Sequence, residues 1–253
     1  MAKTPFDDYL RELEFQREVW NRKAALRAVY HYFFRRVCAQ LSSLGPTVEI
    51  GSGCGNFKEY RPEIIATDVV KSGPWIDQIV DAQQLPYAAG TIGNFVAIDV
   101  LHHLQRPLDF LRQAAACLQP GGRIVLLEPA ATRWSRLVYG RNHHEPVDLT
   151  WDLFGLDGTP PVDDPGHTFA NMGIAALLFA RHPQETLRRV PSLELTRCSG
   201  LGFLTYPATG GFSYRGFVPG SLVPALCAVE DCLLRPVALH LTGMRYLVVL
   251  TKR

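Results

Sequence analysis

The sequence predicts an α/β domain built as a doubly wound parallel sheet with helices on both faces. Three observations carry this. An apolar strand, Val48-Glu49-Ile50, runs into a glycine loop, Gly51-Ser52-Gly53-Cys54-Gly55. The next strand, Ile64-Ile65-Ala66-Thr67-Asp68, ends on an acid. Beyond it, continuous apolar runs of the kind buried on both faces alternate with helical patterns.

The elements follow in order. Residues 7–43 read as helical, because Leu10, Leu13, Val19, Trp20, Leu26, Val29, Tyr30, Phe33 and Val37 recur at three- and four-residue steps. Gly45-Pro46 then breaks the chain before the first strand. A short helix is expected after Gly55, and a short third strand over residues 78–80. Phe95-Val96-Ala97-Ile98-Asp99-Val100-Leu101 reads as the fourth strand and is followed by His102-His103-Leu104. A helix over 107–118, a turn at Gln119-Pro120-Gly121-Gly122 and a fifth strand from Arg123 to Pro129 come next. The regular alternation stops there. Residues 130–172 are rich in Pro, Gly, Asp and His. A helical piece over 174–189, broken near Pro183, precedes strands over 193–198 and 245–251, with an irregular and then helical stretch between them. One domain over residues 1–253 is the natural reading for this length.

Strand, glycine loop, helix, strand and acid, in that order, hold an adenine nucleoside in doubly wound domains. Here the spacing is G-x-G-x-G, and Asn56 stands where a dinucleotide fingerprint has its third glycine. Glu49 lies two residues before the first glycine. A carboxylate there would repel a pyrophosphate but attract an ammonium group. S-adenosylmethionine (SAM) has an amino group and a sulfonium and no phosphate, so SAM is the expected cofactor.

Composition narrows the partners. The formal net charge is +2, too small to hold a nucleic-acid backbone. The six cysteines are scattered without a CxxC pair, and a reducing cytoplasm is expected. No apolar run reaches the roughly 20 residues that span a bilayer. The tract over 222–241 comes nearest, interrupted by Glu230, Asp231, Arg235 and two prolines; it could lie on a membrane surface, cover a pocket or pack as core.

Taken together, Glu49 to Gly55, Asp68, Asp81-Ala82 with Leu85-Pro86, Asp99-Val100-Leu101-His102-His103-Leu104 and Leu118-Gln119-Pro120-Gly121-Gly122-Arg123 resemble the class I SAM-dependent methyltransferases, in their small-molecule branch. The resemblance covers residues 45–130. It implies a mostly parallel, Rossmann-like sheet of seven strands, the last of them antiparallel. It also implies that Gly51, Gly53 and Gly55 pass under the methionyl and ribose parts of SAM. Glu49 would reach the methionyl amino group, and Asp68 the ribose hydroxyls. Asp81 would accept from the adenine amine, and Ala82 would offer its N–H to the ring. Asp99 would lie near the methionyl group. The links 130–172 and 201–243 are longer than the family pattern. Both leave from carboxyl ends of strands, the edge where such sheets bind ligands, and are expected to form a cap over an acceptor site beside the N-terminal helix.

The methyl acceptor stays open. Methyl transfer needs an in-line nucleophile, and a hydroxyl nucleophile benefits from a base. His102 is the candidate, with His103 expected to point elsewhere. Asn142-His143-His144-Glu145-Pro146-Val147-Asp148 could bind a metal, hydrogen-bond a sugar or phosphate, or be a polar loop, and no metal is assigned. Asp163-Asp164-Pro165-Gly166-His167 is a weaker version of the same pattern. Tyr206, Phe212, Tyr214, Arg215 and Phe217 lie in a glycine-rich stretch that could act as a lid or simply pack. The expected function is methylation of a small molecule, most readily on an oxygen of a glycan precursor, lipid or secondary metabolite. The alternative is a SAM-binding sensor or partner subunit without transferase activity.

Overall fold

A computed structural model describes residues 6–142, 145–155, 169–234 and 241–253, with the backbone alone at 140–142. His143, His144, Asp163, Asp164 and His167 therefore lie outside the described residues. Seven strands form one sheet in the order β3-β2-β1-β4-β5-β7-β6. They are β1 (Thr47–Ile50), β2 (Ile65–Asp68), β3 (Gln78–Ile79), β4 (Ile92–Ile98), β5 (Leu118–Pro129), β6 (Leu193–Leu201) and β7 (Arg245–Lys252). The first five run parallel, and β7 lies antiparallel to both β5 and β6. This is the Rossmann-like, doubly wound architecture expected from the sequence.

Strand alternation sorts the core onto two faces. Phe95 and Ala97 of β4, Ile124 and Leu126 of β5, and Val248 and Leu250 of β7 pack in one cluster with Phe110 and Leu111. Their neighbours Val96, Val125, Leu127 and Val249 pack on the other face against Phe33, Phe34 and Val37. That period of two is why each apolar run had to be continuous. The first cluster is backed by helix α4 (Pro107–Cys117), the second by helix α2 (Ala24–Cys38).

Strand β4 starts and ends three residues earlier than expected, α2 ends at Cys38 rather than 43, and two further departures have a visible cause. The N-terminal helical stretch is two helices, α1 (Asp7–Arg22) and α2, parted at Lys23, whose backbone is non-helical (φ −99°, ψ 87°). The break lets α2 pack on the sheet while α1 crosses the glycine loop. Lys23 is held there through Nζ, which donates to the carbonyls of Gly211 and Tyr214. Strand β5 begins at Leu118, so the expected turn at residues 119–122 is absorbed into it. A Cβ at Gly122 would stand 2.8 Å from the Gln119 carbonyl oxygen and 2.9 Å from that of Gly93; glycine lets the strand pass so close.

The remaining helices are α3 (Asn56–Tyr60), α5 (Arg133–Asn142), α6 (Pro183–Arg189), α7 (Thr205–Ala208) and α8 (Val223–Leu233). Among the described residues no helix is long and apolar enough to cross a membrane.

Candidate active site

Strand order reverses between β1 and β4, and open α/β sheets bind ligands beyond the carboxyl ends of strands at such a point. A cavity of about 980 Å³ lies there. Its walls come from the glycine loop, the ends of β2 and β4, α1, and residues of both long links, including Tyr139, Glu145, Met172, Tyr206 and Phe217. Of the residues singled out from sequence, Glu49, Gly51, Gly53, Asp68, Asp81, Ala82, Asp99 and His102 all line it.

On the β1–β2 side the loop is held by its own backbone needs. Gly51 and Gly53 have φ of +66° and +51°, in the left-handed region that β-branched residues avoid. A Cβ on Gly51 would stand 2.5 Å from a methyl of Val100, whereas one on Gly53 would meet only a methyl of Leu13, at 3.2 Å. Gly55 departs from the expected role. It is not among the residues lining the cavity, and a Cβ there would strike the indole of Trp75 at 2.5 Å. Trp75 braces the loop from beneath, its Nε1 donating to the Gly53 carbonyl at 3.0 Å.

Three acids surround this end. Glu49 is buried and accepts from the Ser52 hydroxyl at 2.7 Å. Burial pushes its carboxyl up to about 8, against the pull of that hydrogen bond. Asp68, also buried, accepts from the Gly53 N–H at 2.7 Å and from the Tyr9 hydroxyl of α1 at 3.3 Å. Burial raises its pKa, against the pull of the Gly53, Val70 and Val69 N–H groups and the Tyr9 hydroxyl. Asp81 accepts from the Gln83 N–H at 2.8 Å, so one carboxylate both closes a turn and faces the cavity.

Asp99, expected near the methionyl group, lines the cavity with its carboxylate already paired. It is the one non-glycine residue with positive φ (59°) among the described residues. Its carboxylate is paired with the Arg245 guanidinium and accepts from the Tyr30 hydroxyl at 3.1 Å. Arg245 is buried, donates also to Tyr30 and Tyr206, and stays charged, because Asp99 and the tyrosines outweigh the penalty of burial. The pair bolts the end of β4 to β7, to α2 through Tyr30 and to the second long link through Tyr206, which packs in the core there.

On the β4–β5 side, residues Leu101–His103 form a single 3-10 turn. The His102 Nδ1 lies 2.7 Å from Oε2 of Glu128, whose Oε1 accepts the N–H groups of Val100 and Leu101 at 3.0 and 2.8 Å. His103 does not point elsewhere. Its Nδ1 bonds the Phe169 carbonyl at 2.9 Å, and its ring stacks on His102 with centroids 4.1 Å apart. Both Nε2 atoms face Glu145, at 3.5 and 3.6 Å. Burial disfavours charge on both rings. Glu128 and Glu145 overcome this for His102, raising its pKa to about 10, whereas burial and the neighbouring His102 lower that of His103 to about 4.

Glu145 is carried by the first long link. The Met172 N–H donates to the Pro146 carbonyl at 2.9 Å, and the Asp148 N–H to the Asn171 side chain at 2.9 Å. Sequence reading did not single out Tyr9, Tyr30, Glu128 or Arg245. Glu128 left one signal, a lone acid in the apolar β5 run, level with the carboxyl end of β4. The others left none.

Residues 20–158, more than half of the chain, match the family of methyltransferase domains, and the chain belongs to that family. The fold is that of the class I SAM-dependent methyltransferases, and the cofactor is SAM. A SAM-dependent methyltransferase from Thermotoga maritima, described as a possible histamine N-methyltransferase, superposes with a TM-score of 0.59 at 14% identity, over 99% of this chain and 100% of that one. The protein solved in complex with the Haloferax volcanii Trm112 methyltransferase activator gives 0.54 at 13% identity, over 98% and 97% of the two chains. At such identities the likeness concerns the fold. No curated protein matches the chain.

Proposed function

We propose that this protein transfers the SAM methyl group to an oxygen of a small molecule bound in the same cavity. The observation that carries the reading is continuity: one cavity of about 980 Å³ joins the glycine loop to the histidine pair. Residues of both links and of α1 contribute to its walls, leaving room for an acceptor beside the cofactor.

In this reading the methionyl ammonium of SAM lies by Glu49, the ribose by Asp68 and the adenine by Asp81 and Ala82. Gly51 and Gly53 let the backbone approach the cofactor. The acceptor lies towards His102, Tyr139, Tyr206 and Phe217. An acceptor oxygen attacks the methyl carbon as the carbon–sulfur bond breaks, and the electron pair of that bond returns to sulfur to give neutral S-adenosylhomocysteine. The hydroxyl proton leaves towards the Glu145 carboxylate; His102, kept protonated by Glu128 and Glu145, positions that carboxylate rather than taking the proton itself. Asp99 and Arg245 shape the wall without touching the methyl group.

The aromatic lid supports a ring-bearing or greasy acceptor. Tyr206, Phe212, Tyr214 and Phe217 all line the cavity, and Phe217 is 88% exposed at its mouth. The test is incubation of the protein with methyl-labelled SAM and a fractionated cell extract, read by mass spectrometry. Label is expected in a small-molecule fraction. Label only in protein or nucleic acid, or none in any fraction, would overturn the proposal.

A further inference from the structure

Helix α8 is built the wrong way round for a helix facing water. Leu222, Leu226, Val229 and Leu233 follow one another at four-, three- and four-residue steps, which places them in one stripe. They are 53%, 38%, 51% and 73% exposed. The other exposed residues of the helix are Pro, Ala and Cys, so none of its exposed side chains is Asp, Glu, Lys or Arg. Its two acids face the protein instead. Glu230 accepts the N–H groups of Phe203, Leu204 and Thr205 at 3.0, 2.8 and 2.6 Å. Asp231 accepts the Tyr32 hydroxyl at 2.6 Å and pairs with Arg36 at 3.6 Å. A water-facing helix keeps its charges outside and its apolar residues within; here the outer side is apolar and contiguous.

The patch has two kinds of neighbour. One is the mouth of the cavity. The short turn Gly220–Leu222 joins α8 to the segment that carries Tyr214, Arg215 and Phe217, which line the cavity, and Phe217 is 88% exposed. The other is cationic. Val223 and Cys227 of α8 pack in one cluster with Val29 and Phe33 of α2. The next turn of α2 therefore sets Arg35 and Arg36 beside the patch, Arg35 exposed and close enough to act on the Cys227 thiol. Arg215 is exposed at the mouth.

We infer that the α8 face rests on an anionic membrane surface, with the mouth of the cavity at the lipid boundary. The stripe enters the boundary between headgroups and acyl chains, and the arginines beside it meet the anionic headgroups. A second copy of this chain seated on the patch would add its own arginines to these and lie over the mouth that an acceptor must use. The contact is with the surface: among the described residues no helix is long and apolar enough to cross a membrane. It also narrows the acceptor to a lipid-soluble molecule that enters from the bilayer past Tyr214 and Phe217. That last step rests on the proposed methyl transfer, whereas the membrane contact does not.

The test of contact needs neither SAM nor acceptor. Tag-free full-length protein is floated with vesicles of phosphatidylcholine, and with vesicles of equal parts phosphatidylcholine and phosphatidylglycerol. It is expected to float with the mixed vesicles at low salt, to come off as salt is raised, and to float poorly with phosphatidylcholine alone. Val229→Gln with Leu233→Gln, both at exposed positions outside the cavity, should lower partitioning into the mixed vesicles about tenfold. Absence of the wild type from both floated fractions overturns the proposal. Equal flotation with the two kinds of vesicle overturns it as well, as does equal flotation of the folded double variant. A wild-type dimer in sedimentation velocity that the double variant loses, without flotation, gives the face to a second copy and also overturns it. Labelling with methyl-labelled SAM and a lipid extract separates the two readings. Flotation of a chain that labels no small molecule sinks the methyl-transfer reading alone, and labelling without flotation sinks the membrane face alone.

Discussion

The Tyr9 hydroxyl of α1 lies 3.3 Å from Oδ2 of Asp68 and completes that carboxylate's set of donors. A carboxylate has about four lone-pair positions. Here the Gly53 N–H and the Tyr9 hydroxyl are its hydrogen-bond donors. A ribose whose hydroxyls donate to Asp68 competes with Tyr9, the donor that belongs to another element. Helix α1 thus closes the nucleoside end of the cavity with a contact for which the cofactor competes.

Two opposite effects follow at this pair. Asp68→Ala removes charge-assisted bonds worth roughly 1.5–3 kcal/mol each, and SAM affinity measured by calorimetry should fall at least tenfold. Tyr9→Phe removes only the competitor, a bond worth about 1 kcal/mol, and SAM should bind about fivefold tighter. Weaker binding by Tyr9→Phe would show that the hydroxyl stays engaged with the cofactor.

The glycine loop separates binding from stability. Gly51 is closed in by Val100, so Gly51→Ala should cost fold stability as well as binding. At Gly53 only a flexible Leu13 methyl is near, and the cost is a left-handed backbone of about 1–2 kcal/mol. Gly53→Ala should stay folded, lose a few degrees of Tm and bind SAM at least tenfold more weakly. Normal SAM binding by Gly53→Ala would reduce the loop to an ordinary turn.

Glu49 sets a pH dependence whose sign can be worked out. Its folded pKa, about 8, lies above the ordinary 4.5. Between those values the folded chain keeps a proton that the unfolded chain has lost, so Glu49 lowers stability as pH rises across that window. Glu49→Gln should match wild type near pH 4.5 and be more stable at pH 8, by up to a few kcal/mol. Binding of an ammonium beside Glu49 favours its ionised form. SAM binding at pH 7 should therefore release a proton, seen in calorimetry as a heat that varies with buffer ionisation enthalpy. Glu49→Gln should abolish that release; a buffer-independent heat in the wild type would detach the ammonium from Glu49.

Local pattern made the cofactor half of the site legible. Glu49, Gly51, Gly53 and Asp68 sit at strand ends, where a loop geometry and an acid can be read from neighbouring residues. What remains of the site, at either end, is tertiary. Tyr9 meets Asp68 across 59 positions and Arg245 meets Asp99 across 146, and no local period encodes either meeting. The break at Lys23 was hidden because helical spacing continues through it, and its partners lie in the lid. His103 was misjudged because strand alternation was carried into a residue pair that in fact forms a 3-10 turn.

The Asp99–Arg245 pair offers a test of stability. Breaking a buried ion pair costs about 3–5 kcal/mol, because the remaining charge is left uncompensated. Asp99 keeps 28% of its side chain open to the cavity and Arg245 keeps two tyrosine partners, so the loss should be smaller, about 2 kcal/mol. Asn accepts the left-handed backbone as well as Asp does, so Asp99→Asn isolates the charge. Urea unfolding should show the loss, and Arg245→Met with Asp99→Asn should recover part of it. An unchanged midpoint in Asp99→Asn would mean that the tyrosines alone hold Arg245.

Glu128 acts on the site only through His102. One oxygen ties the backbone of the 3-10 turn, and the other takes the Nδ1 proton. Glu128→Gln can keep the first role with its amide oxygen, but it then presents an NH₂ group to Nδ1. That removes the neighbouring charge that does most to keep the ring protonated, so the His102 pKa falls from about 10. The nitrogen-15 shifts of His102 should report this as a ring that loses its second proton at lower pH, with the fold and SAM affinity unchanged. Methyl transfer should fall about 10²-fold or more, the usual worth of a positioned acid–base group, with little change in the KM for SAM. His102→Ala should lose as much, and the double variant no more than either single one, because the two residues act as a unit. Additive losses would show that Glu128 serves the turn backbone and His102 independently. An unchanged His102 titration in Glu128→Gln would remove Glu128 from any role beyond the fold.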